Sequence, residues 1–407
     1  MRKNNVKWMG ISAIIALILI VSFIGIGLTR STKALIKAGQ SYESQLTPTV
    51  FPTLPVSGNS TANIDNSGIP VPNPQVLPEP QIVDAQLVVG PDHTPLTLIG
   101  ATRSSLEYSC QGDGHFQYQD FLAMKSWGMN AVRITLSSQL WLDPFGSCPT
   151  YQATVQKAVS NAESAGLYVV LALQWNAPFN DPNSAGGSQY PLPDASKDDT
   201  FWDSISADFG NDTDVLFEPF SEPHDITFQQ WFNGGTITIT AANDTISAGM
   251  PKLVHGTYLA EGMKQLVETI RANTGAVIIL DGINYGFDLS MIDNPQYRFT
   301  RTNIMFSTHP WDYPNKAPAT WPAAFGNLLG TYPIMITEFG EYDCSTGYVS
   351  QLIPYAESHK MSFFAWSWNV GSCQGSSALL AGWNGAPNSP YSAYIRLAML
   401  QYADNEK

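Results

Sequence analysis

From residue 97 onward, eight short apolar runs recur along this chain, and their spacing constrains the fold more than any other feature. They lie at 97–101, 130–136, 168–174, 215–220, 276–280, 303–307, 333–337 and 362–368. Most are separated by segments long enough for a helix, such as 151–165, 258–273 and 348–359. Strands that alternate with helices form parallel βαβ units. Near-continuous apolarity is what a strand covered on both faces requires. The pattern predicts an α/β fold: a closed (β/α)8 TIM barrel over residues 83–407. A doubly wound sheet is the structural rival, but no glycine-rich phosphate loop follows the first strand. Two further apolar stretches, 85–89 and 96–99, flank a Gly-Pro-Asp turn and predict an N-terminal β-hairpin.

Upstream the chain changes character. Arg2, Lys3 and Lys7 precede an uncharged run over 8–28, about the length that spans a bilayer. No clear Ala-x-Ala site follows, so residues 1–37 read as a signal-anchor in preference to a cleaved signal peptide. Arg30, Lys33 and Lys37 balance the leading positives, and charge alone leaves the orientation open. Residues 38–82 are rich in Pro, Ser, Thr and Asn and read as a linker. The expectation is an extracellular monomer, secreted or tethered to the membrane through residues 8–28 alone. Four cysteines, Cys110, Cys148, Cys344 and Cys373, suggest two disulfides in an exported chain, with three pairings open. A net charge of −14 with only 13% charged residues argues against a nucleic-acid partner.

Polar residues fall where a barrel places chemistry. Arg133, Gln174, Glu222, His309, Glu338 and Trp366 all sit at or beside the C-terminal ends of predicted strands, the face that carries active sites in such folds. Strand alternation puts Leu216, Glu218, Phe220 and Glu222 on one face, and Ile334, Ile336 and Glu338 on another. If those faces line the barrel, two carboxylates converge across its mouth.

Five strings carry a resemblance: FEPFSEPHD at 217–225, PIMITEFGEY at 333–342, NAVRITL at 130–136, NIMFSTHPW at 303–311 and FFAWSWN at 363–369. In this order and spacing, the chain resembles glycoside hydrolase family 5, the cellulase family, over roughly 83–404. The resemblance implies a retaining, endo-acting β-glycosidase, with Glu338 as nucleophile and Glu222 as acid/base. Arg133 would hold Glu338 ionised, and the Glu222 carboxyl would be raised beside it. His309 would hydrogen-bond within the cluster, and Glu218 would orient Arg133. Trp366, or Trp368 on the same face, would floor the reacting sugar. Trp141, Trp175, Trp231, Trp311, Trp321 and Trp383 are candidate sugar platforms. Barrel order then predicts disulfides Cys110–Cys148 and Cys344–Cys373, each pinning two loops of the catalytic face.

The mechanism implied requires no cofactor and no metal. The partner implied is a neutral polysaccharide, a β-1,4-glucan first, with mannan, xyloglucan and β-1,3-glucan as alternatives. The contrasting class is a carbohydrate-binding surface protein without turnover. Three positions depart from the family pattern. Ser221 stands where an Asn binds the sugar 2-OH, Gln174 where a His is usual, and Trp311 where a Tyr contacts the nucleophile, with Tyr313 close by.

Overall fold

A computed structural model of the chain describes residues 63–64, 68–177, 189–240 and 255–405. The expected signal-anchor and most of the linker lie outside the described residues. Among the described residues no helix is long and apolar enough to cross a membrane.

Eight parallel strands close into a barrel: β1 (Ile99–Arg103), β2 (Ala131–Ser137), β3 (Tyr168–Trp175), β4 (Val215–Glu218), β5 (Ile278–Asp281), β6 (Ile304–Ser307), β7 (Ile334–Phe339) and β8 (Phe363–Ala365). The ring is sealed where Phe363 of β8 pairs with Ile99 of β1. Helices α1 (Tyr118–Lys125), α2 (Tyr151–Ser164), α3 (Asp198–Phe209), α4 (Met263–Asn273), α5 (Val349–Ser358) and α6 (Pro390–Asn405) cover much of the outside. Helix α4 starts later than the sequence predicts. Tyr258 instead stands in a strand, Gly256–Ala260, paired antiparallel with Gly235–Ile239. The β5–β6 connection carries only a 3-10 turn, Pro295–Tyr297.

The expected N-terminal hairpin is a three-stranded antiparallel sheet of Pro80–Val83, Gln86–Val89 and Thr94–Pro95. Its tight turn is Asp84–Ala85, both at positive φ, and not the Gly-Pro-Asp segment that leads to the third strand. Residues before it also pack on the barrel: the Ser164 hydroxyl donates to Pro72 O and the Tyr168 hydroxyl to Pro78 O, each at 2.9 Å.

Inward-facing side chains divide the barrel interior in two. Leu98, Ala131, Val170, Leu216, Ile279, Met305, Met335 and Phe364 form one apolar cluster, and Leu87 with the partly buried Ile82 and Leu96 plugs it from below. Above this layer, the same strands present Thr102, Arg133, Glu218, Asp281, Ser307 and Thr337, all fully buried. The opposite strand faces pack in the large outer core.

Two alternation predictions need correcting. Strand β4 ends at Glu218, Phe220 turns into the outer core, and Glu222 reaches the mouth through a turn with φ of 56°. In β7, Met335 belongs to the apolar interior cluster and Thr337 to the polar layer above it, whereas Ile334 and Ile336 pack outward. A register shift between Ile336 and Phe339 against β8 accompanies the turn of Glu338 into the mouth.

Candidate active site

Arg133 organises the floor of the mouth. Fully buried on β2, its Nε and Nη2 donate to both oxygens of Glu218, at 2.7 and 2.6 Å. Its Nη1 donates to Glu338 Oε2 at 3.2 Å, and Nη2 also reaches Ser221 Oγ at 2.7 Å. The planar guanidinium suits this use, because its fixed fork matches carboxylates two bonds at a time. Burying such a charge is tolerable only when it is paired. Removing one partner of a buried pair costs about 3–5 kcal/mol.

A second network lies on the other side. His309 follows β6, with Nδ1 at 3.3 Å from Glu222 Oε1 and Nε2 at 3.0 Å from Asp281 Oδ2 and 2.8 Å from Thr337 Oγ1. Asp281 also accepts from the Glu222 backbone N–H at 3.1 Å, which fixes the turn that carries Glu222. The imidazole fits only because Gly286 has no side chain: a Cβ there would stand 2.7 Å from the His309 ring. Beside it, Lys316 Nζ donates to Tyr285 O at 2.9 Å and His309 O at 3.0 Å.

These placements set the charges. Burial pulls His309 down, but the Asp281 and Glu338 charges and the bonds to Asp281 and Glu222 outweigh it and carry the imidazole to about 10. Burial pushes Glu222 up, yet the His309 bond and charge, with Lys316, hold it below its ordinary value. Burial and then the Glu222 charge raise Glu338 to about 8, against His309 and Arg133. The two carboxyls are therefore shifted in the opposite order to the one expected from the resemblance. The His309 bond and the Lys316 charge hold Glu222 low, while burial and the Glu222 charge outweigh Arg133 and His309 at Glu338. Titration of so close a pair belongs to the two groups together.

Above the carboxylates opens a cleft of about 1100 Å³. Gln174, Trp175, Trp311, Tyr313, Trp366 and Trp383 line it, together with Glu222 and Glu338. Trp175 lies 5.7 Å from Tyr108, His115 stacks on Trp383 at 4.0 Å, and Trp311 stacks on Tyr342 at 5.0 Å. Gly340 admits the Trp311 ring, since a Cβ there would come within 2.5 Å of it.

Trp368 does not join this wall: it is fully buried, edge-on to Trp127 at 4.9 Å. Trp141, Trp231 and Trp321 are likewise core residues whose indole N–H groups bond to Ser204, Asp281 O and Lys316 O. Ser221 is fully buried, its hydroxyl accepting from Arg133 Nη2 at 2.7 Å. Both predicted disulfides are present, Cys110–Cys148 and Cys344–Cys373, with Cα atoms 5.4 and 5.6 Å apart. The segment after Glu222 supplies His224 to the cleft, while 241–254 lies outside the described residues.

The sequence reading missed Asp281, Lys316, Tyr342 and Glu107. Asp281 carried a signal: Val277 and Ile279 share its strand face, and it closes the apolar run just where a barrel becomes polar. Glu107 sits at the cleft edge, raised by burial to about 7, with Oε2 accepting from the Thr135 hydroxyl at 2.7 Å.

The site is thus a pair of carboxylates under an aromatic-lined cleft at the mouth of a parallel (β/α)8 barrel. The particular family follows from comparison. Residues 101–372 match the model of the cellulase family, glycosyl hydrolase family 5, and the chain belongs to that family. A β-mannanase/endoglucanase A of Caldicellulosiruptor saccharolyticus is 25% identical over 293 residues, 68% of this chain. The match spans only 19% of that much longer relative. Among solved structures, a β-glucanase from Saccharophagus degradans superposes with a TM-score of 0.59 at 17% identity, covering 83% of this chain and 99% of the other. A hyperthermophilic endocellulase from Pyrococcus horikoshii gives 0.58 at 17% identity, covering 79% and 98%. At such identities the likeness speaks for the fold alone. The family match makes the chain a glycoside hydrolase.

Proposed function

We propose that this glycoside hydrolase is a retaining, endo-acting β-glycosidase, with Glu338 as nucleophile and Glu222 as acid/base. One observation carries the reading. A carboxylate oxygen of Glu222, one of Glu338 and a His309 ring nitrogen gather within 4.8 Å of one another. Retaining glycosidases keep their carboxyl groups about 5–5.5 Å apart, whereas inverting ones need about 6.5–9.5 Å to admit a water. In the first step Glu338 attacks the anomeric carbon, the glycosidic bond breaks, and the proton on Glu222 passes to the leaving oxygen. In the second, Glu222 takes a proton from water, whose oxygen displaces Glu338 from the sugar. For the first step the pair's proton must lie on Glu222. Arg133, 3.2 Å from Glu338, stabilises that ionised nucleophile.

The substrate proposed is a β-1,4-glucan. The names of the relatives, an endoglucanase among them, support a β-glucan or mannan class. The aromatic rings strung along the cleft favour an extended chain over a single sugar. An exported protein is also proposed, and the two disulfides support an oxidising compartment.

Reducing-sugar release by the full-length chain on cellulose, barley β-glucan, mannan, xyloglucan and laminarin, beside Glu338→Gln, tests the function. Turnover on a β-glucan that vanishes in the variant is the expected result. Binding without turnover across the panel would favour the lectin-like alternative.

A further inference from the structure

On the rim beside the cleft, Asp312, Glu341 and Asp343 each bring one carboxylate oxygen within 4.8 Å of the other two. Asp312 follows β6, and Glu341 and Asp343 follow β7, so the cluster bridges the segments leaving two adjacent strands. Asp312 and Asp343 are exposed, and exposed acids gather often without consequence. Glu341 is different. It is fully buried, its Oε1 accepts from Tyr348 N at 2.8 Å and Ser345 Oγ at 3.2 Å, and its Oε2 has no hydrogen-bond partner. A buried carboxyl oxygen left without a partner is costly.

The contrast with the catalytic floor is informative. There the carboxylates meet Arg133 and His309. Here, among the described residues, no Lys, Arg or His forms an ion pair with any of the three.

We propose that Asp312, Glu341 and Asp343 bind a Ca²⁺ ion that ties these two segments together. The donor set is all oxygen, which suits a hard cation and not zinc or copper. Calcium binds oxygens at about 2.3–2.6 Å in an adaptable shell, so its ligands stand as much as roughly 5 Å apart. Magnesium, at about 2.0–2.1 Å, draws opposite ligands to roughly 4 Å and demands a regular octahedron. Carboxylates from two loops, two of them exposed, suit the ion with the more adaptable shell. Carbonyls and water would complete the shell.

The ion has a structural consequence. Trp311 immediately precedes Asp312, and Tyr342 lies between Glu341 and Asp343; their stacked rings form one wall of the cleft. The next residue, Cys344, is bonded to Cys373. Calcium therefore braces the segments that carry the aromatic wall, through carboxylates other than Glu222 and Glu338.

The test uses full-length protein stripped with EDTA. Titration with CaCl₂ is expected to bind one ion per chain by calorimetry and to raise Tm saturably, on the order of 3 °C. The Asp312→Asn/Asp343→Asn variant should lose both effects while its Tm in EDTA matches or exceeds the wild-type value, because like charges have been removed. Asparagine preserves the Oδ1 that accepts from Ser345 N at 2.8 Å, so this loop bond survives. No heat and no Tm shift in the wild type, or the same shift in both proteins, would overturn the proposal. A rise with MgCl₂ equal to that with CaCl₂ would contradict the assignment to the larger ion.

Discussion

The lower and upper halves of the barrel interior come from the same strands and largely the same inward-facing alternation, yet they are chemically opposite. The lower half is filled by Leu216, Ile279, Met305, Met335 and Phe364, and needs only volume and rotamers. The upper half buries Arg133, Glu218, Asp281, His309 and Glu338, each of which must be matched to a named partner. The difference teaches a division of labour. The apolar layer supplies a rigid base, and the charged layer, held by Arg133 and His309, spends part of that stability to poise two carboxylates.

Four perturbations test that division, in order of expected effect. Glu338→Gln in the upper half should lower kcat by more than about 10⁴-fold, as removal of a nucleophile does elsewhere. Circular dichroism and Tm should show an intact fold, since Gln keeps the shape of the carboxyl and Glu218 still pairs with Arg133. Leu216→Ala in the lower half should do the reverse. Unfolding free energy should fall by about 2–5 kcal/mol in denaturant titrations, with kcat nearly unchanged. Loss of activity in the folded Leu216 variant would break the comparison.

Asp281→Asn should act on kcat through position, because it weakens the hold on His309 and the Glu222 turn. A loss on the order of 10² is expected. The accompanying signature is a fall in the His309 pKa, read by NMR, as the largest charge supporting the imidazolium disappears. A purely structural role for Asp281 would lower Tm and leave the imidazole titration in place.

The smallest effect is in the pH profile. The proposed mechanism needs one proton on the carboxyl pair, and burial with the Glu222 charge raises Glu338 to about 8. Deprotonation removes the acid, so kcat/KM should decline on the alkaline side as pH rises through that value. A flat profile to pH 10 would contradict the coupling.

Much of this was legible in the sequence because strand ends and motif strings are local. The eight runs gave the strand order, and Arg133, Glu222, His309 and Glu338 stood at their ends. Alternation failed where the backbone leaves the strand: at the turn after Glu218, and at the register shift before Phe339. Those irregularities involve pairing between strands, which no single strand records. Trp368 and Trp366 share a predicted face, but only packing against Trp127 separates core from cleft. Asp312 and Glu341 meet only because β6 and β7 are neighbours, a long-range fact.

If Glu338 is the nucleophile, one of its carboxylate oxygens is bonded to the sugar between the two steps. Brief reaction with a 2-deoxy-2-fluoro-β-cellobioside bearing a good leaving group, followed by peptic mapping and mass spectrometry, tests it most directly. One glycosyl adduct per chain is expected, on the peptide containing Glu338. An adduct on Glu222, or turnover of cello-oligosaccharides that never yields an adduct, would contradict it.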